Sequence, residues 1–176
     1  MLNILIHPPK SMLEVWERLP EGTLCQLINN KLVMSPSPID IHQVVLNKIN
    51  IAISKVLEKS RAGEIRIAPY DVQFSKQNIL QPDILFIKNE NLHKIREKGL
   101  FGAPDLVIEI LSPSTSNLDW EDKKMVYERY GVQEYFIVEP NSKLVTSFFL
   151  KDGEYEEQEN TKAIIKSGIL ITEIKF

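Results

Sequence analysis

The spacing of apolar residues predicts one long helix in the first third of the chain. Between residues 41 and 57, apolar side chains recur every three or four positions, which is the period of an amphipathic helix. Ser37 is suited to cap this helix and Pro38 to occupy its first position. The sequence Arg-Ala-Gly at 61–63 is expected to end it.

A second helix is predicted over 118–130, between apolar runs at 105–111 and 134–138 that have the character of buried strands. Residues 114–117 supply its caps, and Gly131 ends it. A strand, a helix and a strand in this order form a right-handed crossover, so the two strands are expected to run parallel in one sheet.

Shorter runs account for most of the remaining chain. Asn29 and Asn30 tolerate the positive φ of a tight turn, which predicts a hairpin at 24–34. The other predicted elements are a short helix at 11–18, strands at 64–68, 70–74 and 83–87, a loop or short helix at 88–102, and a hairpin in the tail from Leu144. Together these elements predict an α+β protein with a mixed sheet and at least two packed helices.

Composition limits the class of protein. The chain has 176 residues, of which 43% are hydrophobic and 26% charged, and we expect one globular domain over 1–176. Its formal net charge of −3 provides no overall field that would attract nucleic acid. The single Cys25 fits a reducing compartment, and no apolar run reaches the length of a membrane span. We therefore expect a cytoplasmic protein with no membrane partner.

Two opposite charges are directed into the predicted core. At about 100° per residue, Lys123 lies in the middle of the apolar side of the 118–130 helix. A lysine in that position must reach out to solvent or meet an acid. Glu109 lies in the apolar middle of the strand that precedes this helix. The pair is either a buried structural ion pair or part of a reaction centre.

Asp83 is a third charged group, and it favours the reaction centre. It begins the 83–87 strand, and antiparallel pairing with the next strand would place it beside Glu109. Two adjacent carboxylates repel each other unless one is protonated or a cation bridges them, and Mg²⁺ prefers such oxygen ligands. Asp105 lies about 13 Å from Glu109 along its strand, which is too far to share one small ion. We expect Asp83, Glu109 and Lys123 to converge in a pocket open to solvent.

Several segments resemble the Uma-type restriction endonucleases, a bacterial branch of the PD-(D/E)XK nuclease superfamily. The segments are LINNKLVMSPSPIDIHQ at 27–43, QPDILFI at 81–87, APDLVIEILSPSTSNLD at 103–119 and DKKMVYERYGVQEYFIVEP at 122–140. The resemblance implies a restriction-endonuclease-like αβββαβ core at about 38–140. The N-terminal hairpin and a C-terminal β extension would lie outside that core.

The resemblance also implies a metal site. Asp83 and Glu109 would bind Mg²⁺ or Mn²⁺ with help from the carbonyl of Ile110, and water would attack a phosphodiester. The parent motif carries its lysine two residues after the acid, where this chain has Leu111. Uma-type proteins carry that lysine on the following helix, and Lys123 matches its place.

Further residues match the pattern of the Uma-type proteins in supporting positions. Asp119 and Tyr127 form a series with Lys123 on the helix, and His42 belongs to the SPSP…H segment. Asp105 and Asp119 are expected to assist the metal ligands and the lysine. Gln26 stands where these proteins often have glutamate, which would weaken the hold on metal if that acid borders the ion.

The sequence thus predicts a Mg²⁺-dependent endonuclease that hydrolyses DNA, with Asp83, Glu109 and Lys123 as catalytic residues. Two alternatives stay open. One is a nuclease-fold binding or assembly module that is weakly active or inactive, which the acidic net charge and Gln26 favour. The other is a phosphodiesterase acting on another nucleic acid or a nucleotide. Since cutting two strands is simplest with two sites, we expect a homodimer.

Overall fold

The computed structural model of the chain describes residues 7–20, 22–112 and 116–176. Its helices are α1 Met12–Glu17, α2 Asp40–Ser60, a 3-10 helix Asn89–Lys94, and a continuous helical segment made of α3 Ser116–Leu118, a π-helical turn Asp119–Lys123 and α4 Lys124–Tyr130. Of the caps predicted at 114–117, Ser114 and Thr115 lie outside the described residues. No helix in the described ranges combines the length and apolar character needed to cross a bilayer.

The strands follow in chain order. They are β1 Cys25–Ile28, β2 Lys31–Met34, β3 Gly63–Ile67, β4 Val72–Ser75, β5 Asn78–Leu80, β6 Ile84–Lys88, β7 Ile95–Arg96, β8 Gly99–Phe101, β9 Leu106–Ile110, β10 Glu134–Val138, β11 Leu144–Lys151, β12 Glu154–Glu157, β13 Thr161–Lys162, β14 Ile164–Ser167 and β15 Thr172–Lys175. The central sheet has the order β12-β11-β10-β9-β6-β3, and β13 pairs with β11.

β9 lies inside this sheet, as the apolar sequence of the strand predicts. It pairs antiparallel with β6 and parallel with β10. The helical segment from Ser116 to Tyr130 makes the crossover between β9 and β10, and Gly131, at φ 84°, ends it. The predicted parallel crossover is therefore confirmed.

The long helix α2 begins two residues later than predicted. Its N-cap is Ile39, whose backbone is extended at ψ 162° and whose side chain makes no capping hydrogen bond. Ser37 and Pro38 therefore precede the helix, and the predicted cap is wrong. The end is as expected, since Arg61 adopts a left-handed conformation at φ 49° and donates its backbone N–H to the Leu57 carbonyl.

A second sheet, which the sequence does not predict, has the order β2-β1-β5-β4-β8-β7. Its member β5 is three residues long and fully buried, so it has no alternation of polar and apolar positions to reveal it. The 88–102 segment, predicted to be a loop or short helix, contains the 3-10 helix Asn89–Lys94 and also β7 and β8. Gly99 is required there, because a Cβ would lie 2.3 Å from the Asp71 carbonyl oxygen.

The central sheet separates two hydrophobic layers. On one face, Ile108 and Ile110 of β9 pack with α2 and with the β14–β15 hairpin. On the other face, Val107 packs with α4 and the second sheet. Because side chains alternate along a strand, Glu109 shares the face of Val107 and is directed towards α4.

Candidate functional site

The two predicted carboxylates lie side by side on neighbouring strands. β6 and β9 pair with Ile84 opposite Ile108, and this register continues to place Asp83 opposite Glu109. The backbone N–H of Ile110 donates to Oδ2 of Asp83 over 2.7 Å, which fixes the carboxylate against β9. Antiparallel pairing therefore brings together two acids that are 26 residues apart in sequence.

His42 holds the same oxygen of Asp83 from another direction. It is buried in the first turn of α2, and its Nε2 lies 3.1 Å from Oδ2 of Asp83. Both side-chain hydrogen bonds that Asp83 makes with other described residues end on Oδ2. The side chain of Asp83 keeps 17% of its surface exposed.

Glu109 receives two partners from the helix above it. Nζ of Lys123 lies 3.0 Å from Oε1 of Glu109, and the hydroxyl of Tyr127 donates to the same oxygen over 2.6 Å. Both partners lie on the core-facing side of the helical segment, as the spacing in the sequence predicts. The lysine thus meets an acid and does not extend to solvent.

Asp119 completes the cluster from within the helix. Its Oδ1 lies 2.8 Å from Nζ of Lys123, so one ammonium joins two carboxylates. Both residues belong to the π-helical turn, a distortion that is frequent at functional sites. The hydroxyl of Tyr135 donates to the Asp119 carbonyl over 2.9 Å and braces this turn. The sequence analysis missed Tyr135, although strand alternation in β10 directs it to the face of Glu109.

The cluster carries more negative than positive charge. Burial, the largest cause, raises the pKa of Glu109 to about 8; Lys123 opposes the rise, whereas Asp119 and Asp83 add to it. Burial alone would lower the pKa of the Lys123 ammonium, but the carboxylates of Glu109, Asp119 and Asp83 outweigh it and raise that pKa. Without a further cation, the cluster therefore favours the protonated form of the Glu109 carboxyl group.

The site is more enclosed than the sequence suggests. We expected a pocket open to solvent, but the side chains of Glu109 and Lys123 are only 2% and 5% exposed. Tyr127, which packs beside them, is completely buried. Asp83 is the most exposed member of the cluster, so the cluster is most accessible to solvent from the side of that residue.

Asp105 is not brought to this cluster. Its carboxylate accepts hydrogen bonds from the backbone N–H of Lys88 over 2.8 Å and from the amide of Asn91 over 2.9 and 3.1 Å. These contacts fix the start of β9 to the end of β6, at the opposite end of the strand from Glu109. Its proposed support for the metal ligands therefore has no geometric basis in this structure.

Gln26 occupies the position where the resemblance leads us to expect a glutamate, and its side chain braces neighbouring segments. Its buried amide oxygen accepts the N–H of Gln81 over 2.9 Å, and its Nε2 donates to Ser35 over 3.0 Å. Gln81 precedes Asp83 by two residues. Gln26 thus ties β1 to the segment that delivers Asp83 and to the one that leads into α2.

The donor set fits a hard divalent cation. Among the described residues, no group of three or more His, Cys, Asp or Glu side chains is arranged to hold a metal ion by itself. Mg²⁺, however, is commonly held by one or two carboxylates together with water and substrate phosphate oxygens. Asp83 and Glu109 provide such a pair, and their excess negative charge favours a cation.

Two comparisons with known proteins find a match. The family Uma2, described as "Putative restriction endonuclease", matches residues 12–169. A solved structure, the "Crystal structure of a putative nuclease belonging to DUF820 from Anabaena variabilis ATCC 29413", covers 93% of this chain and 92% of its own. Its TM-score is 0.75 at 18% sequence identity, so this likeness shows the fold alone. No curated protein matches the chain.

Proposed function

Because the chain belongs to the Uma2 restriction endonuclease family, we propose that it is a metal-dependent endonuclease that hydrolyses phosphodiester bonds in DNA. The observation that carries this proposal is the juxtaposition of Asp83 and Glu109 next to a buried lysine. Two carboxylates in a low-dielectric site stay together only when a proton or a cation offsets their repulsion. A metal-dependent hydrolase uses such a pair to hold its ion, whereas the stability of a core does not depend on one.

Asp83 and Glu109 would hold Mg²⁺ or Mn²⁺, and the carbonyl of Ile110 is the third protein ligand that the resemblance to the Uma-type proteins implies. The bound ion would supply Lewis acidity and lower the pKa of water, so that a nucleophile is available at neutral pH. His42 and the N–H of Ile110 keep the Asp83 carboxylate oriented through Oδ2. Tyr127 does the same for Glu109 through Oε1.

Lys123 serves as a fixed positive charge. Its raised pKa keeps the ammonium protonated at neutral pH, so it is unsuited to remove a proton from water. It is suited to stabilise negative charge that develops on the phosphoryl oxygens in the transition state. Asp119 holds the ammonium from the preceding turn and is the supporting residue for this role.

Calorimetric titration with MgCl₂ and MnCl₂ tests the proposal. The wild type is expected to bind one ion per chain, and Glu109→Gln is expected to lose that binding because a carboxamide carries no charge. Cleavage of supercoiled plasmid is then measured alongside single-stranded DNA and RNA. Metal binding without cleavage of plasmid or single-stranded DNA would contradict DNA as the substrate. No metal binding at millimolar concentration would contradict the proposed enzymatic activity.

A non-catalytic binding module is the second candidate, and one observation favours it. Oε1 of Glu109 already meets both Lys123 and Tyr127 in a nearly dry environment, as a structural ion pair would. In such a module the pair would serve stability alone. Unchanged thermal stability on addition of Mg²⁺, together with DNA binding but no DNA cleavage in the presence of Mg²⁺, would support this candidate over the nuclease.

We also propose that the active form is a homodimer. A duplex is cut on both strands most simply when two copies of one site act together, and cyclic dimers are the commonest symmetric assembly. Light scattering during gel filtration, with and without duplex DNA, tests this. A monomer under both conditions would contradict it.

A further inference from the structure

A groove of about 360 Å³ lies between α2 and β15, away from the carboxylate cluster. Its rim carries Lys48 and Lys55 from α2 and Lys175 from β15, and all three side chains are exposed. Its floor is apolar and includes Ile51, which is 45% exposed. Cations above an apolar floor suit a ligand that has both anionic and apolar parts, such as a sugar-phosphate backbone.

The charges of the groove do not cancel. Glu173 is the one acidic side chain in its lining, against the three lysines, which leaves the groove positive. The chain as a whole has a formal charge of −3. The excess of acid lies elsewhere, because the β11–β12 hairpin and the residues after it carry Asp152, Glu154, Glu156, Glu157 and Glu159. Without these five acids the formal charge would be +2, so the negative net charge of the chain is compatible with a locally positive groove.

The spacing of the lysines suits a phosphate chain. Lys48 and Lys55 are seven residues apart, which places them on the same side of α2 and about 10 Å apart along its axis. One DNA strand carries a phosphate for every 3.4 Å or so of duplex axis. At this spacing the two ammonium groups can contact different phosphates of one strand.

The groove and the carboxylate cluster share one helix. α2 begins at the cluster, where His42 contacts Asp83, and Lys48 follows about 9 Å further along the helix axis. We propose that the groove formed by Lys48, Lys55 and Lys175 binds the phosphate backbone of duplex DNA outside the cleavage site. This inference rests on the proposed nuclease function, and it adds the surface that retains the substrate.

The test is binding of a 20-base-pair DNA duplex in EDTA, measured by fluorescence anisotropy across a range of salt concentrations. The triple variant Lys48→Gln, Lys55→Gln and Lys175→Gln is compared with the matched triple variant Lys76→Gln, Lys151→Gln and Lys162→Gln, which removes three exposed lysines elsewhere. The groove variant is expected to bind at least about tenfold more weakly and to lower the salt slope by about 2–3. The control is expected to stay within about twofold of wild type.

Equal effects of the two triple variants would contradict DNA binding in the groove, since binding would then depend on net charge alone. If the protein binds phosphatidylserine vesicles more tightly than it binds the duplex, and the groove variant loses that binding, DNA would not be the ligand of the groove. If duplex binding depends on the groove but the protein cleaves nothing with Mg²⁺ or Mn²⁺, DNA binding in the groove would be supported and the proposed nuclease activity contradicted. If the groove variant cleaves plasmid with an unchanged KM, the proposed nuclease activity would be supported and DNA binding in the groove contradicted.

Discussion

The two ends of β9 carry buried acids in contrasting surroundings. At its start, Asp105 is held by a backbone N–H and an asparagine amide, with the Lys88 ammonium 3.8 Å away. Near its other end, Glu109 meets a buried ammonium that it shares with Asp119, and Asp83 adds a further negative charge. Neutral donors satisfy the first acid and fix the fold. The second acid belongs to a cluster whose charges do not balance, which is the condition that favours a cation.

The largest difference between the two ends is expected in catalysis. Glu109→Gln should lower the rate of plasmid nicking at least a thousandfold, roughly 4 kcal/mol in the barrier, because the uncharged amide binds metal poorly. Asp105→Asn should stay within about threefold of wild type, because its partners lie outside the cluster. Initial rates at fixed Mg²⁺ concentration measure both. Equal losses in the two variants would show that β9 acts only as a scaffold.

A smaller difference is expected in stability. Lys123→Met should destabilise the metal-free protein by about 3 kcal/mol, because Glu109 and Asp119 stay buried without their ammonium. Lys88→Met should cost less than about 1 kcal/mol, since that lysine is 30% exposed and lies 3.8 Å from Asp105. Urea unfolding in EDTA compares them. Similar losses in both variants would mean that the two ends of β9 do not differ in charge balance.

The smallest effect, counted per pH unit, is expected in the pH dependence of stability. The pKa of Glu109 rises on folding from 4.5 to about 8, so the folded protein takes up a proton there. Stability from this group is complete below about pH 4.5 and is lost as pH rises through 8, by at most about 1.4 kcal/mol per pH unit. Urea unfolding of the metal-free protein between pH 6 and 8.5 should show this slope.

Glu109→Gln provides the control for that slope, since it removes the titrating group and leaves the rest of the chain unchanged. The difference between wild type and variant isolates Glu109 from other acids. A wild-type curve parallel to that of the variant would mean that Glu109 stays ionised beside Lys123 throughout. The cluster would then be a balanced ion pair, like the carboxylate contacts at the other end of the strand.

The elements that the sequence predicts well are those with strong local patterns. The α2 periodicity, the Asn29-Asn30 turn and the β9–helix–β10 crossover each follow from spacing or turn chemistry, and both asparagines adopt positive φ. The proximity of Asp83 and Glu109 needs only the antiparallel pairing of two adjacent strands. The similarity to the restriction endonucleases, read from the same segments, is confirmed by the family match.

The features that escape prediction depend on contacts distant in sequence. β5 is a strand only because β1 and β4 pair with it on either side. The isolation of Asp105 depends on Asn91, which lies in a segment without a clear pattern. The burial of Lys123 depends on the tertiary packing of its helix, whose Val126 and Tyr127 belong to one apolar layer with the second sheet. None of these contacts leaves a local periodicity in the sequence.

A crystal soaked in MnCl₂ tests the central claim most directly, because the anomalous scattering of manganese locates the ion without relying on activity. The account predicts one strong anomalous peak bound by the carboxylates of Asp83 and Glu109, and its absence from crystals of Glu109→Gln. A wild-type crystal with no peak at those carboxylates, in which Glu109 keeps its contacts with Lys123 and Tyr127, would contradict it.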